Sequence, residues 1–197
     1  MSVHFTAIPD TDLLRFAAEN PLAWIVPAAD PADAILMPLL METGAEGAPV
    51  TLLGHLPRSG SLTSILRENP RATCLFLGPH AYIPPGWISK PGWAPTWNFV
   101  SLKVTGQITL DDALTESAVR ALTAHMETRA GSDWTVEQVG PRFEGLLKGI
   151  IGFRMQIETL QPRFKTGQDE TAVSHAEIHA HLSGHPLQSW MGGPDPS

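Results

Sequence analysis

Apolar residues along this chain fall into short runs set apart by proline and glycine, and the spacing within the runs assigns most elements. Asp10-Thr11-Asp12 followed by Leu13, Leu14, Phe16 and Ala17 predicts a capped helix. It ends at Asn20-Pro21, because proline disfavours helix in the residue before it. Leu22 to Val26 reads as a buried strand. Ala34 to Met41 reads as another, held to a sheet edge or bulged where Pro38 removes a ladder donor. Gly44 to Pro49 reads as a hairpin loop and Val50 to Leu56 as its return strand. Ser59 to Asn69 predicts a helix stopped by Pro70, and Ala72 to Leu77 a strand broken by Gly78-Pro79. Trp97 to Leu110 alternates as a strand. Asp111 to Arg129 is the clearest helix, with acidic residues at its positive end. Pro141 to Lys148 is helical in pattern. Gly149 to Leu160 alternates apolar Ile151, Phe153, Met155 and Ile157 with smaller or polar residues, again a strand. Arg163 to Asp169 reads as a polar loop, Thr171 to Leu182 as a weak helix, and Gly184 to Ser197 as a tail.

Six strands in runs, rather than strands alternating with helices, argue against a dinucleotide-binding sheet and for a small barrel with peripheral helices. The 18 prolines and 17 glycines agree with short β elements. A hydrophobic fraction of 43% supports a packed core, and 197 residues fit one domain with an appended element. No apolar run approaches a membrane span, and the start at Met1-Ser2-Val3 lacks the features of a signal peptide, so a soluble, cytoplasmic protein without membrane contact is expected. The net charge of −7 weighs against a large nucleic-acid footprint, which needs clustered Lys and Arg.

The single cysteine, Cys74, lies in an apolar run and reads as a small hydrophobe rather than a nucleophile. His175, His179, His181 and His185 cluster near the carboxyl terminus. His175 and His179 share a helix face, as zinc ligands can, but a solvated helix explains them as well, and no metal is assigned. Gly54-His55-Leu56-Pro57-Arg58-Ser59-Gly60-Ser61 runs from a strand into a helix start. Two readings stay open there: a phosphate site at Arg58, or a cap by Ser59 beside a surface arginine. The stretch Gly78 to Pro95, with five prolines and two tryptophans, has the composition of a loop. With Trp97 and Asn98 beyond it, it offers indoles beside amide and imidazole groups, suited to a flat ring with polar edges, or to pinning the loop itself.

In combination, several pieces carry a family resemblance: Leu53-Gly54-His55-Leu56 with Arg58; Phe76-Leu77-Gly78-Pro79-His80-Ala81-Tyr82-Ile83 with Pro85 and Trp87; Pro95-Thr96-Trp97-Asn98-Phe99; Ile151-Gly152-Phe153; and Phe164-Lys165 with Gln168. From about Phe5 to about Gln168 the chain resembles the PaiB-type FMN-binding transcriptional regulators. The resemblance implies a mainly β fold with peripheral helices, an FMN-binding split β-barrel related to pyridoxamine-phosphate oxidases. It implies residues 1–170 as the barrel and 171–197 as a C-terminal helix and tail. FMN would lie at a homodimer interface in a regulatory or flavin-dependent redox role. Arg58, Ser59 and Lys165 would face the phosphate. His55, Trp97, Asn98 and Gln168 would line the ribityl chain and ring, and His80 and Tyr82 would shape the loop over the site. No catalytic base is assigned, because a flavin carries its own redox chemistry. The alternative is a negative transcriptional regulator acting without flavin, with DNA as partner. Ile35-Leu36-Met37-Pro38 departs from the family's Thr-His-Leu-Pro, and Gly60 stands where the family has Asn.

Overall fold

A computed structural model describes residues 8–192. The signal-peptide reading at Met1 and the end of the expected tail lie outside these residues.

Helix α1 (Asp10–Glu19) buries Leu13, Phe16 and Ala17, a spacing that puts all three on one face. It stops at Asn20, before Pro21, as the sequence requires. Strand β1 (Leu22–Pro27) is not the buried strand its composition suggests: its residues alternate, and Leu22 and Trp24 are half exposed. The run Ala34 to Met41 forms two strands, β2 (Ile35–Pro38) and β3 (Leu40–Thr43). Between them Leu39 is fully buried and its N–H donates to Pro21 O at 2.8 Å. β4 (Pro49–Pro57) returns from β3 as expected. The sheet therefore has seven strands rather than six.

Helix α2 (Ser61–Glu68) begins two residues later than predicted. β5 (Arg71–Ile83) runs straight through Gly78-Pro79, where the sequence predicted a break. β6 (Thr96–Asp111) follows the predicted alternation. Asp111 Oδ1 accepts Ala113 N at 2.8 Å and opens a 3-10 turn, after which α3 (Thr115–Ala130) starts. α4 (Arg142–Leu147) precedes β7 (Ile150–Lys165), which absorbs Arg163 to Lys165 from the predicted loop. α5 (Ala172–His181) is the final helix. The expected tail folds at Pro186–Trp190 into a 3-10 turn that buries Leu187 and Trp190.

The strand order is β2-β1-β5-β6-β7-β4-β3. Thus β2 and β3, neighbours in sequence across Pro38, occupy opposite edges, where a proline costs no central ladder bond.

The chain divides into two compact units that do not follow chain order. One gathers Leu77–Leu102 and the chain from Pro162 onward; the other gathers Pro9–Phe76 and Lys103–Gln161. The second unit has a core of Phe16, Ile25, Leu39, Leu52, Leu56, Ile151, Phe153 and Met155. Cys74 is fully buried in it, 3.9 Å from Met155 Sδ, and burial pushes its thiol up to about 12, which leaves it protonated and inert. The first unit buries Ile83, Val100 and Leu102 and, further along the chain, Ile178, Leu182 and Leu187. Phe164 meets Trp190 edge to face there, with ring centroids 5.5 Å apart.

Candidate functional site

The nine candidate residues fall in both units. His80, Tyr82, Trp97, Asn98, Lys165 and Gln168 belong to the first, and His55, Arg58 and Ser59 to the second.

In the first unit, neighbouring strands β5 and β6 bring three rings together. Tyr82 meets Trp97 at 5.6 Å between centroids with planes at 60°, and His80 meets it at 6.3 Å and 39°. Trp97 is 54% and Tyr82 47% exposed, so this is a surface platform rather than a core cluster. His80 is oriented by its Nδ1, 3.1 Å from Gly78 O.

Asn98 follows Trp97 on β6 and points to the opposite side, as alternation requires. It is 1% exposed, and its Nδ2 has no hydrogen-bond partner. A Cβ on Gly167 would come within 3.4 Å of that nitrogen and 3.7 Å of His175 Cδ2. His175 is buried as well, with Nε2 unpartnered. Burial, then the nearby His179, holds its pKa below the ordinary value. The sequence marked His175 only as a possible metal ligand on a helix. Its place beside Gly167 and Asn98 depends on a tertiary approach that no local pattern announces.

Lys165 donates from Nζ to Thr96 Oγ1. Gln168 is engaged within its own turn: Nε2 donates to Phe164 O at 2.6 Å, and Oε1 accepts from Thr166 N at 2.8 Å. The turn Phe164 to Gln168 is thus shaped by the very amide the sequence singled out.

In the second unit, His55 on β4 lies opposite Gly152 on β7. A Cβ on Gly152 would meet the backbone of Leu114 and Thr115 at 2.6 Å, so the start of α3 covers that side, which His55 shares as a directly opposed residue. His55 Nδ1 is buried without a partner, and burial lowers its pKa. Arg58 bridges three segments: Nε donates to Lys148 O at 3.1 Å, Nη2 to Ile150 O at 2.7 Å, and Nη1 pairs with Asp112 at 2.6 Å. Ser59 lies exposed in the turn closed by Gly60 N and Pro57 O. Ser59 is not the helix cap. Gly60 occupies that position, without a side-chain bond, and Thr63 Oγ1 instead ties the helix back to Pro57 O.

The clustered histidines do not converge on a metal. Gln188 Nε2 lies 3.4 Å from His179 Nδ1, Leu187 N donates to His185 Nδ1 at 3.1 Å, and His181 stacks on Trp87. Among the described residues no group of three or more His, Cys, Asp or Glu side chains could hold a metal ion.

The residue types suit FMN: an exposed aromatic platform for a flat ring, and buried Asn98 and His55 nitrogens without internal partners. Arg58 spends three of its five N–H donors, leaving two for a phosphate.

The fold is a mainly β split barrel with peripheral helices. Among solved structures it is similar to the FAD and heme binding protein from Mycobacterium smegmatis (TM-score 0.57, 14% identity, covering 88% of this chain and 78% of that one). It is similar also to the flavocytochrome Anf3 from Azotobacter vinelandii (TM-score 0.57, 13% identity, covering 82% and 69%). A family profile described as "Putative FMN-binding domain" matches residues 1–159, and the chain belongs to that PaiB-type family, whose cofactor is FMN. Protease synthase and sporulation protein PAI 2 of Bacillus subtilis is 29% identical over 107 residues, 53% of this chain and 51% of that protein. The chain thus spans about half the length of this curated relative.

Proposed function

We propose that this protein holds FMN at a homodimer interface, with the ring against the platform of His80, Tyr82 and Trp97. The observation that carries this reading is the platform itself: three rings grouped on adjacent strands, two of them half exposed, with no core to fill. Asn98 and His55 supply polar groups, and Gln168 fixes the turn after β7. Arg58, Ser59 and Lys165 are the proposed phosphate-side residues. Bound FMN supplies one- or two-electron chemistry; the chain's own residues bind and orient it.

The dimer reading rests on a second surface. Trp24 on β1 stands opposite Leu36 on β2 and opposite Leu75 on β5, and the three are 50%, 46% and 42% exposed. Such a contiguous apolar stripe across three strands is unusual for a surface left in water, and a second copy of the chain is the occupant we assign to it. Of the departure Ile35-Leu36 from the family's polar pair, Leu36 lies on this stripe and enlarges it, while Ile35 stands opposite the buried Ile25 on the other face.

The name of the Bacillus relative links that protein to protease synthesis and sporulation, and a regulatory role for the flavin site is the reading we attach to this chain. The charge of −7 favours a signal passed through the flavin or a protein contact over direct DNA binding.

The test is the visible absorption spectrum of the purified protein with and without added FMN, paired with light scattering at micromolar concentration. Bound oxidised flavin and a dimer mass are expected, with Trp24→Lys shifting the protein to monomer. A colourless protein that takes up no FMN would overturn the cofactor reading, and a monomeric wild type the dimer. A DNA mobility shift that weakens with salt would favour the alternative role.

A further inference from the structure

The family match ends at residue 159, yet residues beyond it contact the Pro84 to Pro95 loop at three points within the same unit. The Trp87 indole stacks on the His181 imidazole, with centroids 4.8 Å apart and planes 10° from parallel. Ser89 N donates to Glu177 Oε2 at 3.0 Å, and Trp93 Nε1 donates to Glu170 Oε2 at 3.0 Å. The loop has few means of its own to hold a shape. It has one 3-10 turn at Pro85–Trp87, and Ile88 as its buried anchor.

The helix is built for this contact. Ser174, His175 and Ile178 turn α5 inward. Glu177 and His181, four residues apart, share another face, the one that meets the loop. One ring stack and two hydrogen bonds spaced along the loop fix its path, while each is separately weak enough to release. Glu177 is held below the usual carboxylate range by its bonds to Ser89.

We propose that the carboxyl-terminal segment from Glu170 through α5 is a strap that holds the Pro84 to Pro95 loop closed, and that Glu170, Glu177 and His181 thereby slow the release of flavin. The second half of this statement rests on the FMN reading above; the first does not.

The test uses the full chain carrying Glu177→Ala with His181→Ala, both on the loop-facing side of α5, and His181→Phe as a variant that keeps the stack. Hydrogen exchange is measured on the flavin-free protein, and FMN dissociation on the loaded one. In the double variant, exchange of residues 86–94 should accelerate about tenfold or more while β6 stays protected, and FMN should leave about tenfold faster. His181→Phe should stay near wild type. Unchanged loop exchange in the double variant would overturn the strap. A loosened loop with unchanged FMN release would overturn its control of flavin. If wild type takes up no FMN, the functional reading fails on its own, and loop exchange still decides the strap. His181→Ala alone removes the stack from the helix side and Trp87→Ala from the loop side, and the two should accelerate loop exchange alike.

Discussion

Tyr82 and Trp97 meet edge to face on adjacent strands, 5.6 Å between centroids, and both remain about half exposed. A core anchor behaves differently: truncating a buried tryptophan costs about 3–5 kcal/mol, mostly in lost burial and cavity. Trp97 is 54% exposed and has little burial to lose. Trp97→Ala should therefore lower FMN affinity about tenfold or more by fluorescence titration, while the flavin-free melting temperature moves by no more than a few degrees. An early-melting variant with unchanged affinity would make Trp97 a strand anchor.

Arg58 and Arg120 separate structural from surface cations. Arg120 pairs with Glu116 at 2.8 Å and with Glu137, on the exposed side of α3, an arrangement that contributes little in water. Arg58 donates to two carbonyls about ninety residues away in the chain, at the start of β7. Arg58→Ala should cost about 1–3 kcal/mol in urea unfolding of the flavin-free protein, more than Arg120→Ala. It should also weaken FMN binding more. If stability falls but FMN affinity per folded molecule does not, Arg58 is purely a clamp and leaves the proposed phosphate side.

How far the sequence carried this picture depended on whether the deciding contact was local. Helix ends at Asn20-Pro21 and Asn69-Pro70 are fixed by backbone sterics within two residues, and they were legible. So was β6, whose alternation reflects one face turned inward. Gly78-Pro79 looked like a break, because the usual rule assumes that a strand needs its ladder on both sides. The register with β1 ends at Phe76, so beyond it β5 tolerates a residue without an N–H. Trp24 read as buried because an apolar side chain in a sheet looks the same from sequence whether it faces the interior or an unfilled surface. The partners of Arg58, and the meeting of Asn98 with His175 at Gly167, join residues far apart in the chain. No periodicity records them.

Acid sensitivity follows from two buried imidazoles. Burial lowers the pKa of His55 and of His175 from the ordinary 6.5. Below that value the unfolded chain takes up protons that the folded protein refuses. Unfolded binding then exceeds native binding, so stability rises with pH across this window. The flavin-free protein should thus be fully stable above about pH 7 and lose stability as the pH falls below about 6.5. His55→Gln with His175→Gln should flatten this part of the thermal-denaturation profile. Glu42 acts in a lower window. The Arg154 hydrogen bond chiefly depresses its pKa below the ordinary 4.5, so its contribution is complete above that value and is lost as the pH falls through the depressed one. An unaltered slope between about pH 7 and about 5.5 in the double variant would assign the acid response to other groups.

Gly106 marks the tightest approach in the sheet. A Cβ built there would stand 2.0 Å from the Gln156 carbonyl oxygen on neighbouring β7 and 3.0 Å from Met155 Cγ. The obstructing atom is backbone, so relief cannot come from a side chain rotating away. The β6 and β7 backbones would have to part, in the unit whose core holds Met155 and Phe153 with no exposed surface. Overpacking of a core costs about 1–3 kcal/mol when side chains can yield, and a clash with a strand's own carbonyl should exceed that. Gly106→Ala should therefore lose about 3 kcal/mol or more in chemical denaturation, or accumulate as insoluble protein. Gly86→Ala is the control. It lies in the loop with nothing within 4 Å of its added carbon, and the lower entropy of the unfolded chain should leave it neutral to slightly stabilising. Equal stability of the two variants would mean that β6 and β7 can separate at Gly106 without cost, and that the close pairing there is not what holds this part of the barrel together.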